Sequence, residues 1–126
     1  MKRMIPVLLS LLLLSGCGGN SADNSYQQIT REVAKEMMDT QEVIILDVRE
    51  QDEYDSGHIP GAVLLPVGTI DEETAASVIP DKDSTVLVYC RSGNRSKTAS
   101  AALAALGYTN IYELGGIHTW PYEIQR

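Results

Sequence analysis

The sequence is poor in the residue types that build metal centres and disulfide frameworks. Its 126 residues include two cysteines, two histidines, one tryptophan and no phenylalanine. Structural zinc sites need about four Cys or His ligands at short, regular spacings, and this chain has no such group. No zinc site or other metal centre is therefore expected.

Positive charge is also scarce. Ten Lys and Arg residues face seventeen Asp and Glu residues, which gives a formal net charge of −7. Proteins that bind nucleic acid neutralise phosphates with clustered Lys and Arg side chains. An acidic chain of this kind predicts no nucleic-acid partner.

No apolar run is long enough to span a bilayer as a helix, which takes about 20 residues. Lys2 and Arg3 precede a shorter apolar run from Met4 to Leu14, and this order is typical of a cleaved signal peptide. The run ends in Leu14-Ser15-Gly16-Cys17, which resembles the lipobox of bacterial lipoproteins. In that family the signal is cut just before the Cys, which is then acylated. An ordinary secretory peptide cut nearby is the alternative.

The lipobox resemblance implies three parts of the chain. Residues 1–16 form a lipoprotein signal peptide, residues 17–25 hold the lipidated Cys17 and a flexible Gly/Ser/Asn-rich tether, and residues 26–126 form the folded domain. Removal of residues 1–16 moves the formal charge to −9. The protein is then expected outside the cytoplasm, held on a membrane by its acyl chains. That membrane is the outer one if the host has two, and otherwise the plasma membrane, on its outer face.

The number of cysteines makes Cys90 the candidate for a chemical role. If Cys17 carries lipid, Cys90 is the only free thiol and no disulfide can form within the chain. An exported thiol is exposed to oxidation, so its presence suggests a chemical role. Burial as an inert core residue is the alternative, but the sequence "RSGNR" that follows Cys90 is polar.

Strand-like and helix-like segments alternate along residues 26–126. Alternation over short connections predicts an α/β fold, a mostly parallel sheet with helices on both faces. The expected strands are 42–48, 63–66, 85–89 and 110–114, and the expected helices follow Thr30, cover 71–79 and run from Ser96 to Gly107.

Cys90 comes between the strand-like segment 85–89 and a helix. Unpaired N–H groups at a helix start, together with the helix dipole, favour a thiolate over a thiol. Arg91 and Arg95 add positive charge. Gly93 and Asn94 tolerate positive φ angles, so the loop can curl with its N–H groups inward. This pattern predicts a nucleophile beneath an anion-binding loop.

Two chemistries use a Cys-headed anion loop of this kind. Tyrosine phosphatases have five residues between the Cys and an Arg, in a loop that encircles phosphate. Here only four residues separate Cys90 from Arg95, and the next position is Ser96. The loop is one residue too short for the phosphatase pattern.

The chain resembles a single-domain rhodanese, a sulfurtransferase of the thiosulfate type. Its loop "CRSGNRS" (90–96) matches the active-site loop of that family, and three further signatures follow the family's order. These are "LDVRE" (46–50), "GHIPGA" (57–62) and "LGGIHTW" (114–120), and together the four span nearly all of residues 28–122.

The resemblance implies the rhodanese fold, a three-layer sandwich around a sheet of about five strands. It also implies that Cys90 takes a sulfur atom from thiosulfate or a related donor and passes it, as a persulfide, to cyanide or a thiol such as that of a redox protein. No cofactor is implied. The substrate-binding loop would be formed by Arg91, Ser92, Gly93, Asn94 and Arg95.

Two alternatives to sulfurtransferase turnover remain. One is a persulfide carrier or partner-binding module, and the other is a phosphatase or arsenate reductase. A direct assay of sulfur transfer separates sulfurtransferase turnover from the carrier or binding module.

Other polar residues are expected to support the site. Asp47 and Arg49 end a strand at the edge that holds Cys90. Asp47 could accept hydrogen bonds from loop N–H groups and Arg49 could hold either Asp47 or Glu53, although a purely structural ion pair is an equal alternative. His118 is expected at the surface, and Gly115 and Gly116 in a tight turn.

Overall fold

The computed structural model describes residues 25–126. The signal peptide, Cys17 and nearly all of the tether lie outside the described residues. None of the helices within 25–126 has the length and apolar character needed to cross a membrane. Within the same range, no three His, Cys, Asp or Glu side chains converge as metal ligands.

The fold is a five-stranded parallel sheet covered by helices on both faces, so the predicted α/β class is confirmed. The spatial order of the strands is β1-β5-β4-β2-β3. Along the chain the elements are β1 (Gln27–Gln28), α1 (Arg31–Thr40), β2 (Ile44–Asp47), α2 (Gln51–Ser56), β3 (Val63–Leu64), α3 (Glu72–Val78), β4 (Thr85–Cys90), α4 (Asn94–Ala105) and β5 (Asn110–Gly116).

The three layers follow from the alternation of side chains along the central strand β4. Val86, Val88 and Cys90 point to one face, where they pack with buried residues of α3 and α4. Leu87 and Tyr89 point to the other face, towards α1 and the C-terminal segment. Both faces are apolar because a parallel sheet is buried on both sides.

Two boundaries at the Cys90 edge differ from those that the sequence predicts. Helix α4 begins at Asn94 rather than Ser96, because Gly93 adopts a left-handed backbone (φ 111°) and caps the helix. Strand β5 continues through Gly115 and Gly116, where a turn is expected. The extra pairing is made across a bulge: Val88 pairs with Glu113, but Cys90 pairs with Gly116.

Strand β1 is not predicted by the sequence. It has only two residues, both exposed, and it pairs with β5 at one edge of the sheet. Two polar glutamines carry no strand signal, so this strand forms through its pairing rather than through its own propensity.

A buried network joins the carboxyl ends of β2 and β4. The carboxylate of Asp47, which is fully buried, pairs with Arg49 at 2.7 Å and accepts the Tyr89 hydroxyl at 2.7 Å. Arg49 also donates to the carbonyl of Gly57, and the Tyr89 oxygen accepts the N–H of Ile59. The network therefore fastens the segment after α2 to the sheet edge that carries Cys90.

We expect Asp47→Asn to lower the free energy of unfolding by about 3 to 5 kcal/mol, because it leaves the buried Arg49 without its counter-ion. Tyr89→Phe removes only a hydroxyl and should cost about 1 to 3 kcal/mol. Urea unfolding measures both, with the exposed Asp55→Asn as the matched control. An Asp47→Asn cost no larger than that of the control would contradict the role of the network.

Candidate active site

Cys90 is the last residue of β4 and the first residue of the cysteine loop, which we define as residues 90–96. Its side chain is 1% exposed. The Sγ atom accepts a hydrogen bond from the Gly93 N–H at 3.0 Å, and the Ser96 hydroxyl oxygen lies 3.5 Å away. Among residues 25–126 it is the one cysteine, and it is free.

The surroundings of Cys90 favour its thiolate. Burial alone would raise the pKa of the thiol, but hydrogen bonds with the Ser96 hydroxyl and with the backbone N–H groups of Ser96, Gly93 and Ser92 lower it by more. The pKa of Cys90 is therefore below its ordinary value. Because only the thiolate is nucleophilic, this arrangement prepares Cys90 for attack.

The part of the cysteine loop that is not helical is shorter than the sequence predicts, because α4 already begins at Asn94. Arg91 and Ser92 are exposed and form the outer side of the loop, whereas Gly93 is buried. Asn94 is the first residue of α4, is exposed, and is not part of the curled backbone. The backbone donors around Sγ are the N–H groups of Ser92, Gly93 and Ser96.

Arg95 pairs with Glu53 of α2. Its Nη1 and Nη2 atoms contact the two carboxylate oxygens at 2.8 and 2.9 Å, a bidentate ion pair. The same carboxylate accepts the Glu50 N–H at the start of α2. Arg49 does not take Glu53, because its guanidinium is already bound to Asp47. Arg95 therefore braces the cysteine loop against α2.

Glu113 is a functional candidate that the sequence analysis missed. It is 3% exposed, and its carboxylate accepts hydrogen bonds from the Ser96 hydroxyl, the Gly115 N–H and the Gln28 side chain. The β5 bulge aims it towards α4, under the cysteine loop. A charged residue inside the strand-like run "NIYEL" was the available signal, because such a residue breaks a buried apolar pattern.

Gly116 and His118 support the loop from the other side. A Cβ atom on Gly116 would lie 2.0 Å from the Arg91 carbonyl oxygen, so only glycine allows the loop to pack on β5. His118 donates from its backbone N–H and from Nδ1 to the same oxygen. Close approach, rather than a turn, therefore explains Gly116.

The Arg95–Glu53 pair predicts a specific dependence of stability on pH. The pair lowers the pKa of Glu53 to about 2 in the folded protein, from an ordinary value near 4.5. Its stabilisation is thus complete above about pH 4.5 and is lost as the pH falls towards 2. Glu53→Gln should cost on the order of 1 kcal/mol at neutral pH, since the pair is partly solvated, and the difference from wild type should vanish near pH 2.

Urea unfolding between pH 2 and 7 measures this difference. Asp55→Asn is the matched control, a carboxylate-to-amide change at an exposed position of the same helix. If the free energy of unfolding of Glu53→Gln depends on pH as that of wild type and of the control does, the ion pair does not brace the loop.

Comparisons with known proteins agree with this geometry. The family model for the rhodanese-like domain matches residues 30–122. Thiosulfate sulfurtransferase GlpE of Coxiella burnetii is 35% identical over 96 residues, which are 75% of this chain and 87% of that protein. The putative sulfur carrier protein YrkF of Bacillus subtilis is 33% identical over 107 residues, 82% of this chain and 56% of that protein.

A solved structure, described as rhodanese with anions from E. coli, has a TM-score of 0.63 and 32% identity, covering 68% of this chain and 99% of its own. The four signatures, the parallel sheet and the loop around the buried Cys90 are thus accompanied by similarity in sequence and in structure. The chain belongs to the rhodanese family, and its relatives include sulfurtransferases.

Proposed function

We propose that the protein is a sulfurtransferase that carries a sulfane sulfur atom on Cys90. The single observation that carries this proposal is the sulfur atom of Cys90, buried at the end of β4 and bonded to the loop N–H of Gly93. A loop of N–H donors that lowers the pKa of a thiol also suits the negative charge of a persulfide.

In the first step the Cys90 thiolate attacks the outer sulfur of thiosulfate. A bond forms between Sγ and that sulfur, the sulfur–sulfur bond of thiosulfate breaks, and sulfite leaves with the bonding electron pair. The product is a Cys90 persulfide, so catalysis is covalent and of the ping-pong type. Arg91 is exposed on the loop and supplies positive charge for the donor's sulfonate oxygens.

In the second step an acceptor removes the outer sulfur. Cyanide attacks it in an assay, thiocyanate forms, and the Cys90 thiolate is restored. A small thiol or the thiol of a redox protein would act in the same way in the cell. No other cysteine lies within residues 25–126 to resolve the persulfide, which supports an external acceptor.

The similarity to a putative sulfur carrier protein favours a second candidate, a domain whose persulfide passes only to a specific protein partner. A phosphatase or arsenate reductase is disfavoured by the loop itself. Its Arg95 is committed to Glu53, and the next residue, Ser96, turns its hydroxyl inward to Glu113 beneath the loop.

We expect the purified protein to form thiocyanate from thiosulfate and cyanide, and Cys90→Ser to lose at least about a thousandfold in rate, because the alcohol is not ionised at neutral pH. Thr98→Ala, an exposed change on α4, is the control and should keep wild-type activity. Equal thiocyanate formation by Cys90→Ser and wild type would refute the proposal. Slow thiocyanate formation, together with a mass gain of one sulfur on Cys90 after treatment with a persulfide donor, would favour the second candidate, a persulfide carrier.

We also propose that residues 1–16 are a lipoprotein signal peptide, that Cys17 is lipidated, and that residues 26–126 form the extracytoplasmic domain. The support is the sequence from Lys2 to Cys17. Glycine at position 18 favours the outer membrane in a host with two membranes, and the outer face of the plasma membrane otherwise.

Labelling with radioactive palmitate in a bacterial host tests the anchor. Wild type should incorporate label and sediment with membranes, and Cys17→Ser should lose the label, because the thioether-linked acyl chains need the Cys17 sulfur. Cys90→Ser is the matched cysteine control and should be labelled like wild type. Equal labelling of Cys17→Ser would contradict lipidation at this residue.

A further inference from the structure

The peptide bond between Arg91 and Ser92 is held from outside the cysteine loop. Its carbonyl oxygen accepts two hydrogen bonds from His118, one from the backbone N–H at 3.2 Å and one from Nδ1 at 2.7 Å. The same carbonyl lies against Gly116, where a Cβ would approach its oxygen to 2.0 Å. The direction of this carbonyl is therefore fixed by Gly116 at the end of β5 and by His118 just beyond it.

The direction of the carbonyl determines the direction of the next N–H. No peptide bond among the described residues is cis, and in a trans peptide the C=O and N–H groups point to opposite sides. With the Arg91 carbonyl turned towards His118, the Ser92 N–H points inward. That N–H is one of the backbone donors that lower the pKa of Cys90.

We propose that His118 is a positioning residue for the Cys90 thiolate, acting through the Arg91–Ser92 peptide. Its Nδ1–H holds the carbonyl outward, and this keeps the Ser92 N–H directed at Sγ. Both hydrogen bonds of His118 go to the Arg91 carbonyl, so it acts on the sulfur through this peptide. The inference rests on the proposed function solely in that sulfur transfer uses the thiolate.

The side chain adds something that the backbone alone does not supply. The backbone N–H of His118 gives one hydrogen bond at 3.2 Å, whereas Nδ1 gives the shorter bond at 2.7 Å. Alanine keeps the first bond and loses the second. Asparagine can place its side-chain N–H near the position of Nδ1, so it should rescue the contact without an imidazole ring.

The test is the pH dependence of alkylation of Cys90 by iodoacetamide, followed by mass spectrometry on the peptide that contains Cys90. This readout needs no sulfur donor, so it is independent of thiocyanate formation. At pH values below the wild-type thiol pKa, His118→Ala should be alkylated about three- to tenfold more slowly, because a weakened charge-assisted hydrogen bond is worth up to about 1.4 kcal/mol. At high pH the rates should converge.

Two variants control the experiment. His118→Asn should recover a rate within about twofold of wild type, and Thr119→Ala, a neighbouring change that touches Gly116 but not Arg91, should match wild type. The charged side chains around the loop are the same in all variants. They are Arg91 on the loop, Arg95 on α4, Glu53, which pairs with Arg95, and Glu113, which accepts the Ser96 hydroxyl.

Each outcome decides the proposal. Slow alkylation of His118→Ala with rescue by His118→Asn supports it. A wild-type pH profile for His118→Ala would overturn it, and so would a His118→Asn rate as low as that of His118→Ala. Failed thiocyanate formation with the expected alkylation pattern would reject only the sulfurtransferase proposal.

Discussion

The structure depends on one set of interactions, the hydrogen bonds that backbone N–H groups direct at the sulfur of Cys90. A buried sulfur without donors would remain a thiol, because burial disfavours the charged form. Here the donors of Ser92, Gly93 and Ser96 outweigh burial and lower the pKa of the thiol. The surrounding elements fasten the outer side of the loop, which keeps these N–H groups directed at one atom.

Each fastening comes from a different element of the fold. Glu53 of α2 holds Arg95, Glu113 of β5 holds the Ser96 hydroxyl, and His118 beyond β5 holds the carbonyl of Arg91. Behind them the Asp47 network keeps the carboxyl ends of β2 and β4 together. The parallel sheet brings these groups to one edge, where reactive groups of open α/β folds collect.

The sequence predicts the fold class, three of the helices and the position of Cys90, because apolar alternation and helix caps are local signals. Contacts that depend on pairing across the chain are not local. The two polar residues of β1 form a strand only beside β5. Gly116 is predicted in a turn because its close contact with the Arg91 carbonyl is not a local feature of the sequence. Arg49 is near both Asp47 and Glu53 in sequence, so the pattern leaves both pairings open, whereas the partner of Glu53 in the structure, Arg95, is 42 residues away.

The central claim is that Cys90 receives sulfur and holds it as a persulfide. Its most direct test is to treat the protein with one equivalent of thiosulfate and then to measure sulfite release together with the mass of the Cys90 peptide. The account predicts equal amounts of released sulfite and of Cys90 carrying one additional sulfur atom. Sulfite release without any added sulfur on Cys90, or added sulfur at another residue, would contradict it.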